Sequence, residues 1–416
     1  MAERRRKKGP KAPAGSRKAR SRTVRPSGGG PSRKKPRRLS GRIFKDLNQE
    51  LPEPPFPDFP ETSHLRRMEQ KFEMSLARPR VSVVVAARNE VDRLWHCLFA
   101  LKTQTYPPDE IILVDNASED TTVDFVRSNY PQVKVLECQE IFGRTMAVNL
   151  GVKTAGGDLV AIVDPGVVVK PDWLQKLVTG FQANWPKFGV MASFPLGEEG
   201  KREQGGEWDQ TLNFLGRPIK GYWPDERLVF CPPEGAWIYP RFLAPEGPFD
   251  EDYGWFGGAA YLGWRMRASG RFSGWNPEAK IFRSVGPGED EPGWKRVFWS
   301  NRNRWLNLLL FLEGGNLWKI IPWMFLECAF LTLKGLVMSF STLVGTLLAA
   351  GWILFHTKLV LEKRRVLQEK RKVPDREILG LVSGRVVSDN VPMSRLLNIL
   401  SLAYCRLVGL KVLEWQ

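Results

Sequence analysis

The chain has 416 residues, 43% of them hydrophobic, with 16 tryptophans and a formal net charge of +17; that is ample for a packed core and more than one average domain requires. Its five cysteines (Cys97, Cys138, Cys231, Cys328, Cys405) share no paired spacing, which argues for a reducing compartment and against a disulfide framework or a cysteine zinc site. The three histidines, His64, His96 and His356, stand apart from one another and from the cysteines, which argues against histidine-based metal or acid–base chemistry.

The charge is concentrated at one end. Residues 1–42 hold 17 Lys or Arg against a single acid, Glu3, so the remaining 374 residues are close to neutral. Residues 1–45 are rich in Pro, Gly and Ser and poor in large apolar side chains, and are expected to be disordered because they cannot bury enough surface to offset their ordering entropy. They lack the apolar core of a secretory signal. Attraction to anionic lipid, contact with nucleic acid and a solubilising role without a partner all remain open for this tail; the apolar C-terminal segments favour lipid over nucleic acid. Residues 46–78 read as a proline-rich spacer, extended over LPEPPFPDFP (51–60), followed by a short charged helix at 61–76.

From Val81 the texture changes. VSVVVAA (81–87) is a β-branched run suited to a strand buried on both faces of a parallel sheet. Arg88-Asn89-Glu90 then leads into a helix with apolar spacing at Val91, Leu94, Trp95, Leu98 and Leu101. EIILVD (110–115), VKVLE (133–137) and DLVAIVD (158–164) repeat the strand signal, with helices expected over 121–129 and 144–155. This alternation predicts a doubly wound, mostly parallel α/β sheet with right-handed crossovers, within a domain at 79–290.

Ligands of such sheets bind beyond the C-terminal strand ends. Those ends carry Arg88-Asn89-Glu90, Asp115-Asn116 and Asp164. No glycine-rich dinucleotide fingerprint follows the first strand and no P-loop occurs, so those readings lose their main support. A carboxylate after the second strand can accept from a base or ribose, and one after the fourth can hold a cation bridging a diphosphate. The competing role for any one of these residues is a helix N-cap. Asn116 and Ser118 are read as caps, Asp115 and Asp164 as ligand-binding.

The segments RVSVVVAARNE, DEIILVDNASEDTT, IFGRTMAVNLGVKTAGGDLVAIVDPGVVVKPDWL, EGAWIYPRFLAPEGPFDED (234–252) and GWRMRASGRFSGWNPEAKIF (263–282) together resemble the family-2 glycosyltransferases of the rhamnosyltransferase-like kind. The resemblance runs through about 200 residues in the family's order. It implies a GT-A fold and a nucleoside-diphosphate sugar donor. By position, it implies that Arg88, Asn89, Glu90 and Asp115 surround the nucleobase and ribose and that Gly143–Asn149 lines the donor pocket, Asn149 included. Asp164 would be the first acid of the metal-binding D-x-D, holding Mg²⁺ or Mn²⁺.

The departures are local. The D-x-D reads Asp164-Pro165-Gly166, so its second carboxylate is absent, which leaves a weakened metal site. The family's E-D-x-D, which includes the acceptor base, falls on Gly258, Ala259 and Tyr261. The usual histidine after the last strand is Arg283. Asp252 is the nearest acid outside the structural F-D-E pattern and becomes the candidate base.

Further on, EPGWKRVFWSNRNRWLNLLLFLEGG (291–315) reads as an amphipathic helix, suited either to a membrane surface or to packing on the sheet. Gly335–Phe355 is an uncharged run long enough to span a bilayer, but basic residues flank both sides (Lys319, Lys334; Lys358, Lys363, Arg364, Arg365). A hairpin or an interfacial helix pair explains both flanks better than a single pass. Residues 291–357 are thus expected to be membrane-associated, with 358–416 a helical tail packed on them. The reading is a glycosyltransferase at the cytoplasmic face of a membrane, acting on a lipid-linked or cell-surface glycan acceptor. The alternative is a catalytically degenerate relative that binds a nucleotide sugar or serves as a scaffold partner.

Overall fold

The computed structural model describes residues 60–196, 210–220, 227–233, 235–283, 293–388 and 393–414. The basic tail over 1–45, nearly all of the proline-rich stretch at 51–60 and the acidic residues 289–291 lie outside them. The chain enters through α1 (Pro60–Ser75), then alternates strand and helix: β1 (Val81–Ala87), α2 (Val91–Lys102), β2 (Glu110–Asp115), α3 (Thr122–Asn129), β3 (Lys134–Glu137), α4 (Arg144–Thr154) and β4 (Leu159–Val163). Each lies within two residues of its expected bounds. β5 (Val167–Val169), α5 (Trp173–Gln182), β6 (Phe188–Leu196), β7 (Gln210–Leu212), β8 (Pro218–Lys220), β9 (Leu228–Val229), β10 (Ala236–Pro240), α6 (Gly258–Ala268) and β11 (Phe272–Arg283) follow.

The main sheet runs β3-β2-β1-β4-β10-β6-β11-β5, with β9 pairing β11, and β7-β8 form a separate ribbon. β1 pairs β2 and β4 in parallel, β2 pairs β3 in parallel, and β6 pairs β11 in parallel. β10 is antiparallel to both β4 and β6, which makes the sheet mixed but mostly parallel. The fold class expected from the strand–helix alternation therefore holds.

The β-branched run explains why β1 is central. Val81, Val83, Val84 and Val85 are all fully buried, because one face meets α2 and α5 side chains and the other meets α4. Gly151 permits the second contact. A Cβ there would stand 2.4 Å from Val84 Cγ1 and 2.9 Å from Val114 Cγ2, so only a glycine lets α4 lie this close to β1 and β2.

The remaining helices are α7 (Gly293–Phe311), α8 (Gly314–Met338), α9 (Phe340–Phe355), α10 (Thr357–Glu369), α11 (Asp375–Leu379) and α12 (Ser394–Leu407). The expected amphipathic helix is α7, and packing dominates its second half: Asn301 to Asn307 are all buried, as are Leu308, Leu310 and Phe311. The uncharged run 335–355 is not one helix, because the chain breaks at Ser339, whose side chain accepts from the Thr342 N–H. α8 and α9 instead pack as a hairpin, with Gly335 directly against the Leu343 backbone.

Helix α8 is long and apolar enough to cross a bilayer; α9 and α10 meet that test only as a pair bent by 72°. Phe325, Phe330, Leu333, Val337, Phe340, Leu354 and Phe355 are exposed along the hairpin. The single acid of α8, Glu327, points the other way. It pairs with Arg217 and with Arg304 Nη1 at 2.7 Å, and accepts from Trp305 Nε1 at 3.3 Å. Two of the supposed flanking cations are also internal: Lys363 binds Asp250 and Asp252, and Arg364 donates to the Leu309 carbonyl.

Candidate functional site

Parallel pairing brings three strand ends to one edge. In register, Ala87 faces Asp115 and Val85 faces Val163, and the Asn116 N–H donates to the Ala87 carbonyl at 2.9 Å. Arg88, Asp115 and Asp164 therefore share a rim. Asn89 and Ala117 both have φ near +53°, and among the described residues Met393 is the one other non-glycine in that region. Strain of this kind is retained where surrounding structure enforces it.

The enforcement is visible. The Asn89 N–H donates to Ser118 Oγ at 3.0 Å, the Glu119 N–H donates to Asn89 Oδ1 at 2.8 Å, and Arg88 Nη2 reaches Glu119 Oε1 at 3.2 Å. Asn89 and Arg88 thus lock the first strand-end loop to the second. Asn116 and Ser118 are not helix caps as expected: α3 is capped at Thr121 without a side-chain bond. Asn116 instead holds the 142 segment, donating to the Phe142 carbonyl and accepting from its N–H, both at 2.8 Å. Glu90 opens α2 paired to Arg93 at 2.5 Å; burial raises its carboxyl above the ordinary range while Arg93 opposes the shift.

Asp115 is different. It is 3% exposed, yet only Oδ2 is engaged, by the Ser118 N–H at 3.2 Å. Oδ1 is buried without a hydrogen-bond partner among the described residues. Leaving a carboxylate oxygen so is costly unless something else fills the vacancy. A cleft of about 670 Å³ adjoins it, lined by Asp115, Ser118, Arg127, Glu137, Cys138 and Gln139 among others. Burial, and secondarily the Asp115 charge, raises the Cys138 thiol above its usual value.

Asp164 lies one strand pair away, at the end of β4, and does not line this cleft. Its N–H donates to the Gly235 carbonyl at 2.8 Å and its Oδ1 is ion-paired with Arg144 Nη2, from the first turn of α4. No group of three or more His, Cys, Asp or Glu that could hold a metal ion occurs among the described residues. The residues at Asp164 therefore do not fit Mg²⁺ or Mn²⁺. One carboxylate is present and a guanidinium already occupies it. At an effective dielectric of about 20, two like unit charges ~4 Å apart cost about 4 kcal/mol, and a divalent ion doubles that. Arg144 lay inside the donor segment read from sequence but carried no role there; a cation opening a helix beside a lone strand-end aspartate was the available signal.

Asn149, expected at the donor pocket, is engaged by the chain's own backbone. It is 2% exposed, and its amide spends both ends on Phe249, donating to the carbonyl at 3.0 Å and accepting from the N–H at 3.3 Å. It clamps the 247–250 turn onto α4, where Gly247 (φ +124°) leaves it room. Thr145 does the same for Gly254, through its N–H at 3.0 Å and its Oγ1 at 3.1 Å.

The region around 249–261, expected to face the acceptor, is a packed seam. A Cβ on Gly258 would meet Phe249 and Thr145 at 3.0 Å. Tyr261 is buried against Tyr253 and Phe311, with ring centroids 4.9 and 5.4 Å away, and burial pushes its hydroxyl up to about 12. Asn303 of α7 donates to the Tyr253 and Phe256 carbonyls, and Arg302 to the Asp252 carbonyl. Asp252 is itself half-exposed and paired with Lys363 at 2.5 Å, while Lys363 also holds Asp250 at 2.6 Å. Lys363, Arg302 and Asn303 are far from these acids in sequence, and no local pattern announces their contact.

Residues 82–242 match the family model described as "Glycosyl transferase family 2". Glycosyltransferase AglE of Haloferax volcanii is 32% identical over 111 residues, 26% of this chain and 36% of that protein. Validoxylamine A glucosyltransferase of Streptomyces hygroscopicus is 27% identical over 229 residues, 46% of this chain and 49% of that protein. The chain thus spans about half or less of these relatives. The mannosyltransferase PcManGT from Pyrobaculum calidifontis, in complex with GDP-Man and Mn²⁺, aligns over 84% of this chain and 96% of its own, at 15% identity and a TM-score of 0.41.

Proposed function

With residues 82–242 placing this chain in glycosyl transferase family 2, we propose that it transfers a sugar from a nucleoside-diphosphate donor to a lipid-linked or cell-surface glycan acceptor at the cytoplasmic face of a membrane. The observation that carries the donor half is the buried, unpartnered Oδ1 of Asp115 beside an open cleft. A ribose hydroxyl or a base N–H is a donor of the right kind for it. The named relatives are glycosyltransferases, which supports the reaction class.

In the reaction, an acceptor hydroxyl attacks the anomeric carbon, and the bond from that carbon to the diphosphate oxygen breaks. The leaving diphosphate keeps the electron pair, and a base takes the hydroxyl proton. With Gly258, Ala259 and Tyr261 unable to serve, we assign the base to Asp252, which must part from Lys363 to accept a proton. The exposed apolar face of α8 and α9 is the proposed membrane contact, with Glu327 turned inward to the domain.

Calorimetry with UDP and GDP tests the donor site. Binding that weakens on Asp115→Asn supports the assignment, whereas no heat for either nucleotide removes it. The second reading, a degenerate relative that binds donor without turnover, is favoured by the closed seam around Gly258 and Tyr261. A hydrolysis screen across nucleotide sugars divides the two.

A further inference from the structure

We propose that helix α12 joins α8 and α9 in contacting lipid, and that the three lie in the plane of one leaflet, so that the chain rests on a membrane without crossing it. The inference rests on the membrane reading above and concerns which helices meet lipid and at what depth.

Helix α12 is inside out for a helix in water. Its inward face is polar: Asn398 is 5% exposed and Ser401 is fully buried. Asn398 Oδ1 accepts from the Val386 and Val387 N–H groups at 3.0 and 3.2 Å, and its Nδ2 donates to the Val387 carbonyl at 3.0 Å. Ser401 Oγ donates to the Gly384 carbonyl at 2.8 Å. The outward face is apolar, with Leu396, Ile399, Leu400 and Leu407 between 50% and 85% exposed. Those positions recur at helical spacing and form one stripe. A surface helix in water turns such a stripe toward the core. Here the stripe is outermost, which matches an apolar surrounding.

Helix α8 repeats the inversion. Phe325, Leu326, Phe330 and Leu333 face outward, while Glu327, midway along the helix, has a side chain only 9% exposed and paired with Arg217 and Arg304. Helix α12 sits beside it: the Tyr404 hydroxyl donates to the Lys319 carbonyl at 2.6 Å, and the Tyr404 and Trp323 rings meet edge to face at 5.8 Å. Helix α9 is seated on α7, with Gly345 against the Trp294 carbonyl and Asn301 Nδ2 donating to Thr346 Oγ1 at 3.2 Å. One long side of α8 and of α9 is thus fixed to the folded domain. Neither can be surrounded by lipid as a span is, and only the opposite side is open to a leaflet. Lys334, Lys358 and Arg395 are exposed on α8, α10 and α12. They match anionic headgroups, whereas a second copy packed face to face would bring the same charges together.

The test is co-sedimentation of the full chain with phosphatidylcholine vesicles, with and without phosphatidylglycerol. Leu396→Gln/Ile399→Gln/Leu400→Gln on α12 and Phe325→Gln/Phe330→Gln/Leu333→Gln on α8 should each weaken binding about tenfold, with melting temperatures unchanged because the replaced side chains are exposed. The single change Ile399→Gln should lose about threefold, and it decides the matter should a triple variant not fold. Lys334→Gln/Arg395→Gln should cost about threefold on the charged vesicles only; equal binding overturns the headgroup assignment. For depth, Phe340→Cys at the α8–α9 turn should stay unlabelled by an impermeant maleimide sealed inside the vesicles, read by mass spectrometry. Labelling from the lumen shows a span and overturns the in-plane placement. Substitutions in α12 that leave binding within about twofold of wild type overturn its role and leave the α8–α9 contact standing. Wild type that ignores both vesicle types overturns both, and a dimer lost in the α12 variant would then assign the face to a second copy.

Discussion

At the ends of β1 and β2, a buried carboxylate oxygen beside an open cleft has no partner among the described residues, and two nearby residues hold left-handed backbone. Around the 250–258 loop the situation is reversed. The carboxylates of Asp250 and Asp252 are taken by Lys363, and the 252, 253 and 256 carbonyls are taken by Arg302 and Asn303. Both regions are rich in polar groups, so polarity alone does not mark a site. What separates them is where the partner comes from. At the β1 and β2 ends no described residue supplies a partner for Asp115 Oδ1, whereas around the 250–258 loop the chain's own C-terminal helices supply the partners.

The comparison can be broken at its weakest joint, Asp252. If it serves as base, Asp252→Asn should lower turnover by roughly 10²–10⁴-fold with donor affinity little changed. Turnover indifferent to the change would mean that the Lys363 pair is structural only. On the donor side, Asp115→Asn should weaken UDP or GDP binding by about 10–100-fold, the scale of one hydrogen bond to a charged group. An unchanged affinity would erase the contrast between the two regions.

Restoring the family's carboxylate is the converse experiment. Gly258→Asp should lower stability by about 1–3 kcal/mol because its Cβ presses on Phe249 and Thr145. It should add no turnover; a gain would show that the seam opens. The smallest effect belongs to Cys138, whose raised thiol lowers its thiolate fraction. Its alkylation at pH 8 should be several-fold slower than that of a free thiol, and slower again with nucleotide in the cleft. Mass spectrometry of the labelled peptide reads both.

The strands and helices up to Val163 were legible because their signal is local: a β-branched run between polar breaks has one reading in a parallel sheet. Asp115 and Asp164 were legible for the same reason, as strand ends in a predictable topology. The Asn149 clamp was hidden because an asparagine in a loop-to-helix segment has the same appearance whether it meets a ligand or a backbone 100 residues away. The breaking of 335–355 at Ser339 was hidden because an uncharged run gives no sign of where a hairpin turns. The burial of α7 was open in the sequence, since tryptophans interleaved with arginines suit both a lipid surface and a cation–π core. Arg302, stacked 4.6 Å from Trp299 and 4.1 Å from Trp352, settles that choice for its part of the helix.

Gly151 has a bearing on how sequence variation in this protein would be interpreted. It carries no side chain and sits beneath the rim, yet a single added methyl would press on Val84 and Val114 and lift α4, and with it the first turn that bears Arg144. A substitution there would register in a binding screen as the loss of a ligand contact, while in a stability screen it would register as a packing defect. Comparing the two screens would separate residues that bind from residues that set the height at which others bind.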